Sequence, residues 1–136
     1  MLRRASVTGW DNLMDPWIES VTPTTKAATP LRYAVAMIKY VLEHLSDPLP
    51  ASEVAEVVGL HPNYALNLFS SVMNVSLHKF VVRMRLIRAR HLLFEGNLSI
   101  ENVAYRSGFP SLSQFYVQFR TAYGLTPRQM RAHYLR

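Results

Sequence analysis

The chain has 136 residues, 49% of them hydrophobic, and a formal net charge of +6 at pH 7. It contains no cysteine, which excludes disulfide bonds and thiolate metal sites and is typical of a protein in a reducing cytoplasm. No apolar run approaches the roughly 20 residues that a membrane-spanning helix needs, and the first residues lack the apolar stretch of a signal peptide.

The basic residues are concentrated in the second half of the chain. Residues 1–78 contain five Lys or Arg and seven Asp or Glu, whereas residues 79–136 contain ten and two. A basic half of this kind predicts a polyanionic partner, which at this point is a nucleic acid, an anionic membrane surface or an acidic protein.

The first predicted helix follows an irregular N-terminal segment. Residues 1–28 combine two tryptophans with a Thr/Pro-rich run and show no sustained period, which predicts a linker or an N-terminal arm. Thr29 then has the position of a helix cap, and Pro30 has that of the first helical residue. One apolar stripe continues along this helix, formed by Leu31, Val35, Ile38, Leu42 and Leu45.

Two short helices separated by a glycine turn come next. The segment ASEVAEVV ends at Gly59, which can adopt the positive φ of a tight turn. Pro62 has the position of a helix start, and the residues after it place Ala65, Leu68 and Phe69 inward at helical spacing. Two such helices form a helix-turn-helix unit.

A longer helix is predicted to begin after Ser76, its cap, and to continue through Leu93. Arginines occupy much of its surface. Its apolar side is formed by Leu77, Phe80, Val81, Met84, Ile87 and Leu92. Gly96 and Asn97 then end this part of the chain.

The next segment repeats the earlier arrangement of two short helices. Ser99 caps a short helix that ends at Gly108. Ser111 and Gln114 have capping-box spacing at the start of the following helix.

That helix is predicted to bury Phe115 and Phe119 and to end at Gly124. Thr126 and Pro127 then begin a final helix that reaches about Tyr134. No segment shows the alternation of a β-strand, so the sequence predicts an all-α fold of about seven helices.

The two short-helix units are copies of one pattern. Residues 49–60 align without gaps with residues 98–109, and Phe69 then corresponds to Phe119. Duplication of this kind predicts two related modules. The predicted domains are a linker or N-terminal arm at 1–28, a first helix-turn-helix subdomain at 29–75, a linker helix at 76–94 and a second helix-turn-helix subdomain at 95–136.

Several spaced motifs carry a family resemblance. In the second copy they are A-x-x-x-G-F at Ala104, Gly108 and Phe109, the pair Phe115 and Phe119, and G-x-T-P-x-x-x-R at Gly124, Thr126, Pro127 and Arg131. In the linker helix the motif is R-x-x-x-A-x-x-L-L at Arg85, Ala89, Leu92 and Leu93. Together these motifs resemble the DNA-binding domain of the AraC/XylS (arabinose-regulator) family of bacterial transcription factors.

The chain departs from the pattern at two positions. Asn74 stands where the second copy has Gly124, and Asn is the residue next best able to adopt a left-handed conformation. Pro110 replaces the small acidic or polar residue that the family usually has after Gly-Phe, which predicts a stiffer turn.

The resemblance implies sequence-specific binding of double-stranded DNA and activation of bacterial transcription beside RNA polymerase. It implies a cytoplasmic protein, associated with the nucleoid when bound, with no cofactor and no membrane partner. Most members of the family carry an effector-binding domain, which is absent from this chain. The alternatives are a C-terminal fragment that begins in an interdomain linker and a stand-alone regulator with a longer arm.

Duplication also predicts the form of the DNA site. A helix-turn-helix unit places its second helix in a major groove, and a rigid helical link lets two units reach successive grooves about 34 Å apart. Because the two copies differ in sequence, the predicted half-sites differ and the site is asymmetric. The alternative function is a helical protein-interaction module whose basic face binds an acidic partner or a membrane surface.

Candidate base contacts are the outward positions of the two recognition helices. They are Asn63, Tyr64, Leu66 and Asn67 in the first, and Ser113, Gln114, Tyr116 and Val117 in the second. Asn67 is the preferred candidate because Asn can bond N6 and N7 of adenine together. Gln114 can do the same, but its capping-box position offers a backbone role instead. Leu66 and Val117 either contact thymine methyl groups or pack.

Arginines around the second unit are candidate phosphate contacts, and the alternative for each is a solvated charge. They are Arg106, Arg120, Arg128 and Arg131. Arg120 is preferred because it lies one turn beyond Tyr116 on the outward face, whereas Arg131 has the alternative of a structural role at the core. On the linker helix, Arg85 is expected to pack against its neighbours, and Arg83 and Arg90 are expected to be solvated.

The sequence predicts neither a metal site nor an enzyme. None of the histidines forms an i, i+4 pair, and no H-E-x-x-H pattern occurs; they are His44, His61, His78, His91 and His133. No Gly-x-Ser-x-Gly elbow, phosphate loop or paired-carboxylate pocket is present in the sequence.

Overall fold

The described residues, 28–134 in a computed structural model, are helical and contain no strand. The seven helices are α1 (Ala28–Glu43), α2 (Ala51–Val57), α3 (Pro62–Met73), α4 (Leu77–Phe94), α5 (Ile100–Arg106), α6 (Leu112–Tyr123) and α7 (Pro127–Tyr134). The predicted all-α fold is confirmed. The predicted arm lies outside the described residues apart from Ala28. Within residues 28–134, no helix has both the length and the apolar character needed to span a bilayer.

The described residues form two compact units. The first unit contains residues 28–43 and Pro50–Leu77, and therefore holds α1, α2 and α3. The second unit contains His44–Leu49 and residues 78–134, and therefore holds almost all of α4 together with α5, α6 and α7. The segment His44–Leu49 belongs to the second unit although it connects α1 to α2 along the chain.

In the first unit, α1, α2 and α3 pack against one another in pairs. The hydroxyl of Tyr40 on α1 donates a hydrogen bond to the carboxylate of Glu53 on α2. The buried residues of the three helices are Ala34, Val35, Met37, Ile38, Val41, Val54, Ala55, Ala65, Leu68 and Phe69. Burying this apolar surface stabilises helices that are too short to be stable alone.

The bounds of α1 differ from those predicted. The helix begins at Ala28, so Thr29 lies inside it and does not cap it. The reason is that proline is tolerated throughout a first turn, where no backbone N–H has a partner within the helix, so Pro30 does not define the first residue. The helix ends at Glu43, and Leu45 of the predicted stripe lies beyond it, buried in the second unit.

In the second unit, the aromatic rings of α6 lie at the centre of the core. The ring centroid of Phe115 lies 5.1 Å from that of Phe109 and 5.5 Å from that of Phe119. The core cluster is formed by Leu86, Ala89, Leu92, Leu93, Ile100, Val103, Ala104, Phe109, Phe115, Phe119 and Met130. The predicted burial of both phenylalanines of α6 is confirmed.

The prediction for Ile87 of α4 is wrong. Its side chain is 57% exposed, whereas Leu86 and Ala89 are buried. Aliphatic residues occur on several sides of α4, so periodicity alone does not identify which of them faces the core.

Asn74 adopts a left-handed conformation at the end of α3. Its φ is 60° and its ψ is 28°, and its backbone N–H donates to the carbonyl of Ser70 at 2.9 Å. Gly124 ends α6 in the same way, with a φ of 78° and an N–H that donates to the carbonyl of Arg120 at 2.8 Å. The two copies therefore end their second helices with one motif, as the alignment predicts.

Replacing Asn74 by alanine is expected to lower the free energy of unfolding by about 1 kcal/mol, because alanine is strained in the left-handed region. Asn74→Gly is the matched control, and it is expected to match the wild type or exceed its stability by a few tenths of a kcal/mol. Urea denaturation followed by circular dichroism measures both. Equal stabilities for the two variants would contradict the assigned cap.

Candidate nucleic-acid interface

The outward face of α3 carries most of the candidate base contacts in the first unit. Asn63, Tyr64 and Asn67 are exposed, and the side chain of Tyr64 is 59% exposed. Leu66 is half-buried. The opposite face of the helix is fixed in the core by its buried residues, so the exposed side chains project from a rigid support.

A histidine caps α3, which the sequence did not predict. Nδ1 of His61 accepts a hydrogen bond from the backbone N–H of Asn63 at 3.1 Å, and Pro62 occupies the first turn. A neutral imidazole that accepts at Nδ1 carries its proton on Nε2. The cap fixes the start of α3 and hence which side of the helix each of the following residues faces. Histidine is not among the residues usually preferred as caps, so only the following proline signalled a helix start.

The surface of α3 is uncharged. Residues 57–78 contain no Lys, Arg, Asp or Glu. The exposed groups of α3 are therefore amides, hydroxyls and a phenol, which can read hydrogen-bond patterns on base edges but supply little attraction to phosphates.

The outward face of α6 has the same layout. Ser113, Gln114 and Val117 are exposed, and Val117 is 62% exposed. Tyr116 is half-buried and packs against the core, with its ring centroid 6.1 Å from that of Phe115. Tyr116 corresponds to Leu66 in the alignment of the copies. Both helices thus expose three equivalent positions and half-bury the fourth.

The predicted capping box at the start of α6 is only half formed. Oγ of Ser111 accepts a hydrogen bond from the backbone N–H of Gln114 at 3.1 Å. Among residues 28–134, no hydrogen bond is formed by the carboxamide of Gln114. Its side chain is therefore not engaged in the cap, and the backbone role that competed with base contact is not adopted.

A complete capping box occurs instead at the start of α7. Oγ1 of Thr126 accepts from the N–H of Gln129 at 3.1 Å, and Oε1 of Gln129 accepts from the N–H of Thr126 at 3.0 Å. The spacing was present in the sequence, since Gln129 lies three residues after Thr126.

Three of the four candidate phosphate contacts are exposed arginines. Arg106 lies on α5, Arg120 on α6 and Arg128 on α7. Within residues 28–134, none of these three guanidinium groups forms an ion pair with a carboxylate. Exposed cations of this kind are suited to long-range attraction of a polyanion.

Arg131 has a different environment. It is half-buried, and its guanidinium donates to the carbonyl of Leu93 from Nε at 3.2 Å and from Nη2 at 3.1 Å. Nη1 donates to the carbonyl of Leu98 at 2.6 Å. These contacts support the structural role that was left open beside phosphate contact.

Arg85 of α4 also binds backbone carbonyls. Nε donates to the carbonyl of Leu45 at 3.1 Å, and Nη2 donates to that of Asp47 at 2.7 Å. Burial lowers the pKa of the Arg85 guanidinium below its usual value, but an arginine remains protonated at neutral pH. Arg85 therefore packs against its neighbours, as expected, and secures the segment His44–Leu49 within the second unit.

Comparison with known proteins identifies related domains. Residues 54–133 match the family described as "Helix-turn-helix domain". The chain is 31% identical over 134 residues to the melibiose operon regulatory protein of Escherichia coli, a match that covers 96% of this chain and 43% of that protein. It is 33% identical over 118 residues to the regulatory protein PocR of Salmonella typhimurium, covering 86% of this chain and 39% of that protein.

A solved structure shares the fold. The DNA-binding domain of AdpA, described as a global transcriptional factor in complex with a target DNA, superposes with a TM-score of 0.71 at 25% identity. The match covers 74% of this chain and 91% of that domain. The chain spans less than half the length of the two regulators named above. The similar proteins are transcription regulators and not enzymes.

Proposed function

This chain belongs to the AraC/XylS (arabinose-regulator) family of helix-turn-helix DNA-binding regulators, and we propose that it reads an asymmetric duplex site with α3 and α6 as recognition helices. Each helix enters a major groove, and the two grooves are successive turns of the same duplex. The predicted division into subdomains at 29–75 and 95–136, joined by a linker helix at 76–94, is part of this proposal.

One observation supports this function above all others. α3 and α6 expose the same three positions of the duplicated pattern, which are occupied by Asn63, Tyr64 and Asn67 in one copy and by Ser113, Gln114 and Val117 in the other. Since no residue type is shared between the copies at these positions, two related scaffolds present two different chemical surfaces. An asymmetric sequence is what such a pair of surfaces would select.

The exposed side chains have distinct roles in this proposal. Asn67 and Gln114 each present an amide that can bond N6 and N7 of adenine, and Val117 presents a methyl surface for thymine. Asn63, Tyr64 and Ser113 supply further polar contacts at the edges of the groove. The half-buried Leu66 and Tyr116 support the exposed residues and touch DNA only at their outer edges.

The exposed arginines would position the protein on the duplex. We assign phosphate contacts to Arg106, Arg120 and Arg128, which contribute affinity without sequence information. Arg131 is assigned a structural role because its donors are directed at carbonyl groups. This distribution makes the second unit the main source of electrostatic affinity.

The regulatory step is proposed from the family. We propose that the protein acts in the bacterial cytoplasm, associated with the nucleoid when bound, and activates transcription beside RNA polymerase.

Selection of binding sites from random duplexes tests the proposed function. The wild type is expected to enrich one asymmetric motif and to prefer it over random duplex by about 10³ or more at matched salt concentration. A helical module for acidic partners or membrane surfaces would bind duplexes without such a preference. That result would refute the proposal.

Replacing Asn67 by alanine is expected to relax a single position of one half-site, with a loss of about 1–3 kcal/mol of discrimination there. Asn97→Ala is the matched control, because Asn97 is also an exposed asparagine but lies between α4 and α5. The control is expected to select the wild-type motif. An unchanged motif for Asn67→Ala would exclude Asn67 as a base contact.

A further inference from the structure

An open cavity of about 360 Å³ lies between the first half of α4 and the last half of α6 in the second unit. The described residues that line it with polar or basic side chains are His78, Lys79, Arg83, Gln118 and Thr121. We propose that this α4–α6 cavity binds a phosphate group of the DNA backbone that flanks the groove read by α6. The inference rests on the proposed function and adds a binding site to it.

The α4 side of the cavity is basic. His78, Lys79 and Arg83 line it, and the first turn of α4 contains no acidic residue. The N-terminus of a helix also carries partial positive charge, which favours an anion close to it. A phosphate bound here would accept hydrogen bonds from the surrounding donors.

The α6 side supplies a neutral donor. Gln118 is exposed, and within residues 28–134 its carboxamide forms no hydrogen bond. The hydroxyl of Thr121 donates to the carbonyl of Val117 at 2.8 Å, so its proton is already committed. Gln118 is therefore the donor on α6 that can reach an anion in the cavity.

The position of the cavity favours the DNA backbone as its ligand. Val117 and Thr121 lie one turn apart on the same face of α6, so the cavity borders the surface that contains the candidate base contacts. A helix in a major groove has a sugar-phosphate strand on each side, and contacts to these strands set its register. None of the described residues that line the cavity is acidic, so none of them would repel a phosphate.

The sequence alone did not identify this site. Arg83 was expected to be solvated, and it is indeed exposed. It becomes a candidate only because folding brings α4 and α6 together around one cavity, and residues of the two helices are far apart in the sequence.

Three single variants test the inference: Arg83→Ala, Gln118→Ala and Arg90→Ala. The control, Arg90, is an exposed arginine of the same helix that lies outside the cavity, with its guanidinium carbon 5.2 Å from the ring centroid of Tyr123. Binding is measured for the duplex that the wild type selects and for a random duplex, over a range of salt concentrations. Circular dichroism verifies that each variant is folded.

Arg83→Ala is expected to weaken binding to both duplexes by about the same factor, roughly fivefold, and to reduce the salt slope by about 1. Gln118→Ala is expected to weaken both by about twofold to threefold without a change in slope, because the lost donor is neutral. Arg90→Ala is expected to retain wild-type affinity and slope.

Three outcomes would overturn the inference while leaving the proposed function intact. If Arg83→Ala and Arg90→Ala weakened DNA binding equally, the loss of any positive charge on α4 would account for the effect and the cavity would have no special role. Wild-type DNA affinity for Gln118→Ala would exclude the cavity as a phosphate-binding site. If Arg83→Ala weakened the binding of an acidic peptide such as polyglutamate but not the binding of DNA, the ligand of the cavity would be an acidic protein. Failure of the proposed function is distinct, because the wild type would then prefer no duplex.

Discussion

Replacing Gly108 by alanine is expected to lower the free energy of unfolding by about 3–5 kcal/mol, which sums backbone strain and overpacking. A Cβ atom at this position would lie 1.9 Å from the carbonyl oxygen of Leu45 and 2.8 Å from Nε of Arg85. The Leu45 oxygen is a backbone atom, so it cannot rotate away as a side chain could. The φ of +95° adds strain for any residue with a side chain.

The close approach of an added Cβ to the Leu45 carbonyl is costly because this carbonyl belongs to a network of hydrogen bonds. The carbonyl of Leu45 accepts from Nε of Arg85, and that of Asp47 accepts from Nη2. Oγ of Ser46 donates to the carbonyl of Arg106 at 2.8 Å. Moving the Leu45 carbonyl to admit a methyl group would therefore disturb the bonds that hold His44–Leu49 within the second unit.

Gly59→Ala is the matched control. Gly59 occupies the equivalent turn of the first copy with a φ of +69°, but among the described residues, its two chain neighbours aside, no atom lies within 4 Å of an added Cβ. Only the backbone strain remains, and the expected loss is about 1 kcal/mol. Urea denaturation of the two variants measures the difference. Similar losses for both would show that His44–Leu49 moves aside easily and that the close approach does not constrain Gly108.

This pair of glycines shows what a sequence can and cannot predict. Both turns were predictable because a chain reversal between two helices needs a positive φ, which glycine adopts without strain. The difference between the turns was not predictable, since the carbonyl that approaches Gly108 belongs to Leu45, a residue far away along the chain. Local conformation follows from local sequence, whereas a close approach follows from tertiary packing.

The outward-facing residues of the candidate site were predictable to about the same extent as the two turns. The buried phenylalanines define the phase of α6, so Ser113, Gln114 and Val117 could be placed on its outward face. Tyr116 and its counterpart Leu66 lie at the boundary between the faces, where the side chain itself decides how much surface is covered. Their partial burial could therefore not be read from helical spacing.

The roles of the arginines were the least predictable part of the site. Charge and spacing do not distinguish Arg83, which lines a cavity, from Arg85, which donates to carbonyls. Whether a guanidinium faces solvent or a backbone carbonyl depends on which loops pack against its helix. The family motif was informative here, because it includes Arg85 and Arg131, which both bind backbone carbonyls from half-buried positions.

Replacing Arg131 by alanine is expected to lower the free energy of unfolding by about 2–4 kcal/mol, because charge-assisted hydrogen bonds to two carbonyl groups would be lost. Leu93 lies in the last turn of α4, where carbonyl groups have no partner within the helix and favour a cation. Its carbonyl would keep the N–H of Gly96 at 3.3 Å. The carbonyl of Leu98 would lose its bond to Nη1 of Arg131.

Two further variants separate this structural role from phosphate contact. Arg131→Lys is expected to retain only a minor part of the stability that Arg131→Ala loses, since an ammonium group lacks the planar fork that donates to the carbonyls of Leu93 and Leu98 together. Arg128→Ala removes an exposed charge from the same helix and is expected to change stability by less than about 0.5 kcal/mol while weakening DNA binding. Urea denaturation and salt-titrated DNA binding are measured for all three. Wild-type stability together with weakened DNA binding in Arg131→Ala would assign Arg131 to a phosphate, because an arginine that supports the core cannot be removed without loss of stability.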